Sequence, residues 1–99
     1  MNALAELQAW YLSHSNGDWE HGYGIRIETL DNPGWEVRIN IRGTELEDRS
    51  FTPISDLDRE VTWMECHVED GQFQAHGGPS MLEPILRVFL DWASVRAPA

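Results

Sequence analysis

Apolar residues along this chain follow two different periods. From Ala3 to His14, Leu4, Leu7, Trp10 and Tyr11 recur at spacings of three and four, which predicts an amphipathic helix with these four on its buried stripe and Leu12 beside it. Asn16-Gly17-Asp18 ends that helix in a turn, because Asn and Gly tolerate left-handed backbone. The period then becomes two. Tyr23, Ile25 and Ile27 alternate with Gly24, Arg26 and Glu28, and Trp35, Val37, Ile39 and Ile41 alternate with Glu36, Arg38, Asn40 and Arg42. These are two half-buried strands joined by a tight turn at Asp31-Asn32-Pro33-Gly34, where an acceptor side chain, a fixed φ and a glycine free to take positive φ come together.

From Thr44 to Glu60 the chain is polar and acidic, with Leu46, Phe51, Ile54 and Leu57 as its apolar anchors and Pro53 excluding a long central strand. The expectation is a short edge strand near Arg49 to Thr52, followed by a loop. Val61 to Glu69 and Gln72 to His76 flank Asp70-Gly71, a two-residue hairpin signal. Met64, Cys66 and Val68 then share one face, opposite Phe73 and Ala75. After Gly77-Gly78-Pro79, the residues Leu82, Ile85, Leu86, Phe89, Leu90, Trp92 and Ala93 form a broad helical stripe. Ser80 and Glu83 have capping-box spacing, and Pro84 places the start of the regular helix near Glu83.

The predicted fold class is α+β over a single domain, residues 1–99: an N-terminal helix, a four- to five-stranded mostly antiparallel sheet and a C-terminal helix, with both helices on one face of the sheet. The alternation predicts that Arg26, Glu28, Arg38, Asn40, Arg42, Trp63, Glu65, His67 and Glu69 line the opposite, open face.

Charge narrows the function. Seventeen carboxylates face seven arginines and no lysine, a formal charge of −10, which repels phosphate backbones and anionic membranes and favours encounter with a basic protein, nucleases and other nucleic-acid-acting proteins among them. Between Glu45 and Asp70, nine carboxylates and two arginines give −7 of that −10. This stretch is either a solvated edge guarded against aggregation or an acidic binding surface, with Glu45, Glu47, Asp48, Asp56, Asp58, Glu65 and Glu69 as its charges. Trp63, with Phe51 and Ile54, would anchor such a surface. A lone cysteine and the absence of a basic-then-apolar N-terminal segment predict a cytoplasmic protein, and no apolar run is long enough to span a membrane.

Candidate chemistry is sparse. His14, His21, His67 and His76 fit no metal-ligand spacing, so neither a metal nor another cofactor is expected. Hydrogen bonding of the loop to the first strand is their ordinary use. Cys66 and His67 are adjacent in a strand and point to opposite faces, which separates nucleophile from base. Two other readings stay open: a small sulfurtransferase-like or hydrolytic enzyme using Cys66 or the Asp18, Glu20 and His21 cluster, and a ligand-binding or assembly module using aromatics on the open face. Gly22 and Gly24 lack a following helix and a third glycine, so they form no dinucleotide loop; they would permit a bulge or close approach of Trp19 or Trp35.

The run Gly17-Asp18-Trp19-Glu20-His21-Gly22-Tyr23-Gly24-Ile25, with Thr29 to Trp35 downstream and Trp10-Tyr11 upstream, resembles the signature of the family-53 immunity proteins of bacterial polymorphic toxin systems. Ser15 and Asn40 depart from that pattern, which more often has cysteine and aspartate there. The resemblance implies a cytoplasmic protein that binds and blocks a cognate toxin and has no catalytic residues. Of the motif residues Asp18, Trp19, Glu20, His21, Asp31, Asn32 and Trp35, the two tryptophans are expected in the core. Asp18, Glu20 and His21 either satisfy the backbone of the Asp31 to Gly34 turn or meet the partner. The need of that turn for backbone partners favours scaffold.

Overall fold

The computed structural model describes residues 2–57 and 61–94. Helix α1 (Ala3–His14) and a single helical turn, α2 (Trp19–Gly22), precede strands β1 (Ile25–Leu30), β2 (Gly34–Asn40), β3 (Ile54–Asp56), β4 (Met64–Glu69) and β5 (Gln72–Gly77), and helix α3 (Leu82–Ser94) follows. The strands form one antiparallel sheet in the order β1-β2-β5-β4-β3. The expected α+β class is therefore observed. Each hairpin contributes two neighbouring strands, and the two hairpins join through β2 and β5 (Trp35↔Gly77 to Asn40↔Gln72).

One face of the sheet carries the core. Val37, Ile39, Cys66, Phe73 and Ala75 are fully buried there against Ile85 and Phe89 of α3, with Ala3 and Leu7 of α1 completing the cluster. Helix α1 also meets α3 through a bidentate pair, with Arg87 Nη1 and Nη2 donating to Glu6 Oε2 at 3.0 and 2.7 Å.

The inward ridge of α1 is Ala3, Leu7, Trp10 and His14, not Leu4, Leu7, Trp10 and Tyr11. Leu4 is 61% exposed, and Tyr11 and Leu12 also face out. The two ridges lie a single residue apart, and α1 packs with the small side chain of Ala3, in place of Leu4, inward so that the helix can sit close to α3. In β1, Ile27 is exposed and Ile25 only partly covered, and Tyr23 just before the strand is exposed too, because β1 is an outer strand that the helices do not fully overlay.

The edge strand expected at Arg49 to Thr52 forms instead at Ile54–Asp56, directly after Pro53. A proline lacks the N–H a ladder needs but can precede a strand. The vacated segment does a different job. Trp92 Nε1 donates to Ser50 O at 2.8 Å, and Arg49 Nη1 donates to the carbonyls of Trp92 and Ala93 at 3.0 and 3.2 Å, satisfying acceptors that a helix leaves open at its C-terminus. Leu46, fully buried, fixes the same segment in the core. Helix α3 starts at Leu82, with Met81 O accepting from Ile85 N at 3.0 Å. Met81 and not Ser80 is thus the cap, and Pro84 falls in the first turn.

Asp70 and Gly71 both take positive φ, 54° and 72°, the pattern of the two-residue hairpin. Gly34 does not take positive φ. Glycine is needed there for a different reason: a Cβ would run into the Gly77 carbonyl and meet Leu30 Cδ1 at 3.3 Å. Gly34→Ala should therefore cost roughly 1–3 kcal/mol, because backbone blocks the added carbon. A lowered urea midpoint with unchanged slope would show it.

Candidate partner-binding surface

The motif segment after α1 is built around its own backbone. Asn16 Oδ1 accepts from Asp18 N and Trp19 N at 2.9 and 3.0 Å, starting the α2 turn. Glu20 reaches back so that Oε1 accepts from Asn16 N at 2.8 Å and Oε2 from Gly17 N at 2.7 Å. Glu20 thus holds the loop from which it springs, and not the Asp31 to Gly34 turn. Trp19 is 5% exposed. Its ring lies against Trp10, Tyr11 and His14, with centroids 5.6, 5.9 and 6.1 Å away. Asp18 and His21 are exposed, as are Asp31 and Asn32. Trp35 is partly buried, its Nε1 donating to Pro79 O at 3.0 Å. Gly24 takes φ 112° where α2 passes into β1, and the nearest atom to a Cβ there is Glu20 O at 3.9 Å; neither Trp19 nor Trp35 is its reason.

The acidic residues do not converge on one patch. Glu45 joins the helix layer: its Oε2 lies 2.7 Å from His14 Nε2, while His14 Nδ1 lies 2.8 Å from Trp10 O. His14 therefore ties α1 to the segment after β2, where a bond to the first strand was expected. Glu47 and Asp48 are exposed in the same segment. Glu65 and Glu69 stand on the opposite, uncovered face of β4, each 3.4 Å from a ring nitrogen of His67. Asp56 is on the edge strand β3. Trp63 precedes β4, half-buried, its carbonyl accepting from Gly78 N at 3.1 Å. Asp58 lies outside the described residues.

The uncovered sheet face is a grid of charge that the register makes explicit. Arg26 stands opposite Arg38, which stands opposite Gln74, which stands opposite His67. The next row runs Glu28, Glu36, His76, Glu65, Ser55. Arg38 Nε donates to Glu36 Oε1 at 2.6 Å along β2. Arg26, Glu28, Glu36 and Arg38 line a shallow open cavity of about 220 Å³. Asn40, expected on this face, is 8% exposed, and its Oδ1 accepts from Arg42 N at 3.0 Å where the chain leaves β2. Because β2 neighbours β5, a strand more than thirty positions away in the chain, these rows could not be assembled from local alternation.

Cys66 is fully buried on the core face, and burial, reinforced by Glu65 beside it, pushes its thiol up to about 12. A thiol so held supplies no thiolate near neutral pH. Among the described residues, no three His, Cys, Asp or Glu side chains are placed to hold a metal ion, and no helix is long and apolar enough to cross a membrane.

Two carboxylates give the fold an acid limb. The Glu20 carboxyl is held below its usual 4.5 by hydrogen bonds from its own N–H and that of Asn16, which outweigh burial, with smaller help from Gly17 N–H and His21. At Glu45 burial works upward, but the His14 hydrogen bond and the Glu45 backbone N–H carry the group below 4.5. A depressed folded value means that each stabilises above the unfolded value and loses that contribution as the pH falls through the folded one. Glu20→Gln and Glu45→Gln should each flatten the decline in stability as the pH falls below 4.5, read from urea melts.

The chain matches the family model described as Immunity protein 53 over residues 4–94. No curated protein and no solved structure matches it.

Proposed function

Since that match spans nearly its whole length, the chain belongs to the immunity protein 53 family, and we propose that it neutralises a cognate bacterial toxin domain by binding and occluding it, without catalysis. The observation that carries the mode of action is the sheet face left uncovered by the helices, where Glu65 and Glu69 flank His67. With Trp63 as an apolar anchor beside them, these carboxylates suit a basic toxin surface, nucleic-acid-acting toxins included. Glu45, Glu47 and Asp48 stand apart from that face and contribute only to the overall negative field that favours encounter with a basic partner. The buried Cys66 thiol, raised to about 12, argues against the enzymatic alternative.

Co-purification with the product of the adjacent toxin gene, together with rescue of growth, tests the reading. A pair that neither associates at micromolar concentration nor restores growth defeats it. For the surface, the double reversal Glu65→Lys with Glu69→Lys should slow association about tenfold at low salt and weaken its salt dependence. An unchanged association rate would place the toxin elsewhere.

A further inference from the structure

The two edges of the sheet are unlike. The β3 edge is three residues long and follows Pro53, a guarded edge. The β1 edge is six residues long, has no proline or lysine, and has no strand beyond it among the described residues. Gly24 O accepts from Asn40 N at 3.0 Å, so by antiparallel alternation Gly24, Arg26 and Glu28 bond to β2 while Ile25, Ile27 and Thr29 turn their N–H and C=O groups outward. Their apolar side is also open. Ile27 is 38% exposed, and Tyr23 of the approach to β1 and Tyr11 of α1 are exposed as well.

The charges on β1 face like charges across the ladder. Arg26 faces Arg38 and Glu28 faces Glu36 across the β1–β2 ladder, arrangements that weaken a sheet. Neither Arg26 nor Glu28 makes an ion pair with another described residue. Both would be satisfied by a second copy of β1. With Ile27 on a two-fold axis opposite its own counterpart, Arg26 of each chain stands opposite Glu28 of the other, and Ile25 stands opposite Thr29. The outward backbone groups of Ile25, Ile27 and Thr29 then fall in hydrogen-bonded pairs, and the Arg26–Glu28 pairs fall at the closer, non-hydrogen-bonded positions. One register thus places backbone, charge and apolar side chains together. The β1 strand itself is neutral, one arginine against one glutamate, while −7 of the chain's −10 lies between Glu45 and Asp70, whose strands are at the other end of the sheet.

From this self-complementarity we infer that the protein forms a two-fold dimer by antiparallel pairing of β1 with β1 of a second copy, making one continuous ten-stranded sheet from two of five. The inference stands apart from the toxin reading, and its test uses the toxin-free protein. Sedimentation velocity across the micromolar range should show a concentration-dependent species of twice 11.4 kDa. Arg26→Glu and Glu28→Arg should each weaken dimerisation about tenfold or more, since both symmetric pairs turn repulsive. The double variant Arg26→Glu with Glu28→Arg should restore it. Each single change places opposite charges across β1–β2, so the monomer stays folded, which far-UV circular dichroism verifies. A wild-type chain that stays monomeric throughout overturns the inference. So does a dimer indifferent to the single reversals, or one that the double variant fails to restore. If the free chain is monomeric and toxin alone protects the Ile25, Ile27 and Thr29 amides from exchange, the edge belongs to the toxin and the dimer is excluded.

Discussion

Phe89→Ala should remove roughly 3–5 kcal/mol of folding stability and lower the thermal midpoint by about 15–35 °C, given the few degrees that each kcal/mol is worth in a chain of this size. Phe89 is fully buried on α3. Its ring lies 5.0 Å from Trp10 of α1, edge-to-face at 89°, and 5.2 Å from Phe73 of β5, with Trp92 6.2 Å away. It is therefore the point at which α1, α3 and the sheet share one aromatic cluster. Truncation removes three sets of ring contacts at once and leaves a void that Trp10, Phe73 and Trp92 are too stiff to fill. Stabilities of small domains are themselves only about 5–15 kcal/mol, so the variant sits near the edge of folding at body temperature. Leu12→Ala, at an exposed position of α1, should stay within about 0.5 kcal/mol. Thermal and urea melts of the two variants side by side give the comparison. Equal losses would mean that the cluster around Phe89 is not the centre of the core.

Features set by neighbours in the chain are legible in the sequence. Asp70-Gly71 needs positive φ at both positions, and two alternating runs flank it, so hairpin and cross-strand partners followed. The same holds for the Asp31 to Gly34 connection, although Gly34 is required by the approach of the Gly77 carbonyl and not by its own φ. What was not legible depends on distant partners. Ala3 replaces Leu4 on the inner ridge of α1 because α3 lies close by. Arg49 and Ser50 leave the ladder because the last turn of α3 offers them acceptors and a donor. Glu45 and Glu65 read as one acidic segment, yet the fold sends the first to His14 in the helix layer and the second to the opposite face. The charge grid required the β2–β5 pairing, which joins one hairpin to the other and leaves no local mark on the sequence.

Within the motif that carries the family likeness, Trp19→Ala should cost roughly 3–5 kcal/mol, whereas Asp18→Ala and His21→Ala should each cost no more than about 0.5 kcal/mol. The Trp19 ring fills the space between α1 and α2, against Trp10, Tyr11 and His14. Its Nε1 is buried and has no hydrogen-bond partner among the described residues, so the side chain contributes as packed surface and its polar atom is a cost. Trp19→Phe should then recover most of the loss, since a phenyl ring keeps much of the contact and removes the unpaired N–H. Asp18 and His21 sit beside it with solvent-facing side chains, and Asp18 makes no side-chain capping bond to α2. Stability and protection against toxin, measured on the same four proteins, divide the motif. Full protection by Asp18→Ala and His21→Ala makes the motif a scaffold whose sequence is dictated by Trp19 and by the Glu20 carboxylate that ties down Asn16 and Gly17. Loss of protection with stability intact makes Asp18 and His21 contacts with the toxin, carried on a loop that Trp19 holds rigid. A Trp19→Phe protein as unstable as Trp19→Ala would refute the packing account, because it would mean that the indole N–H has a partner that the fold does not show.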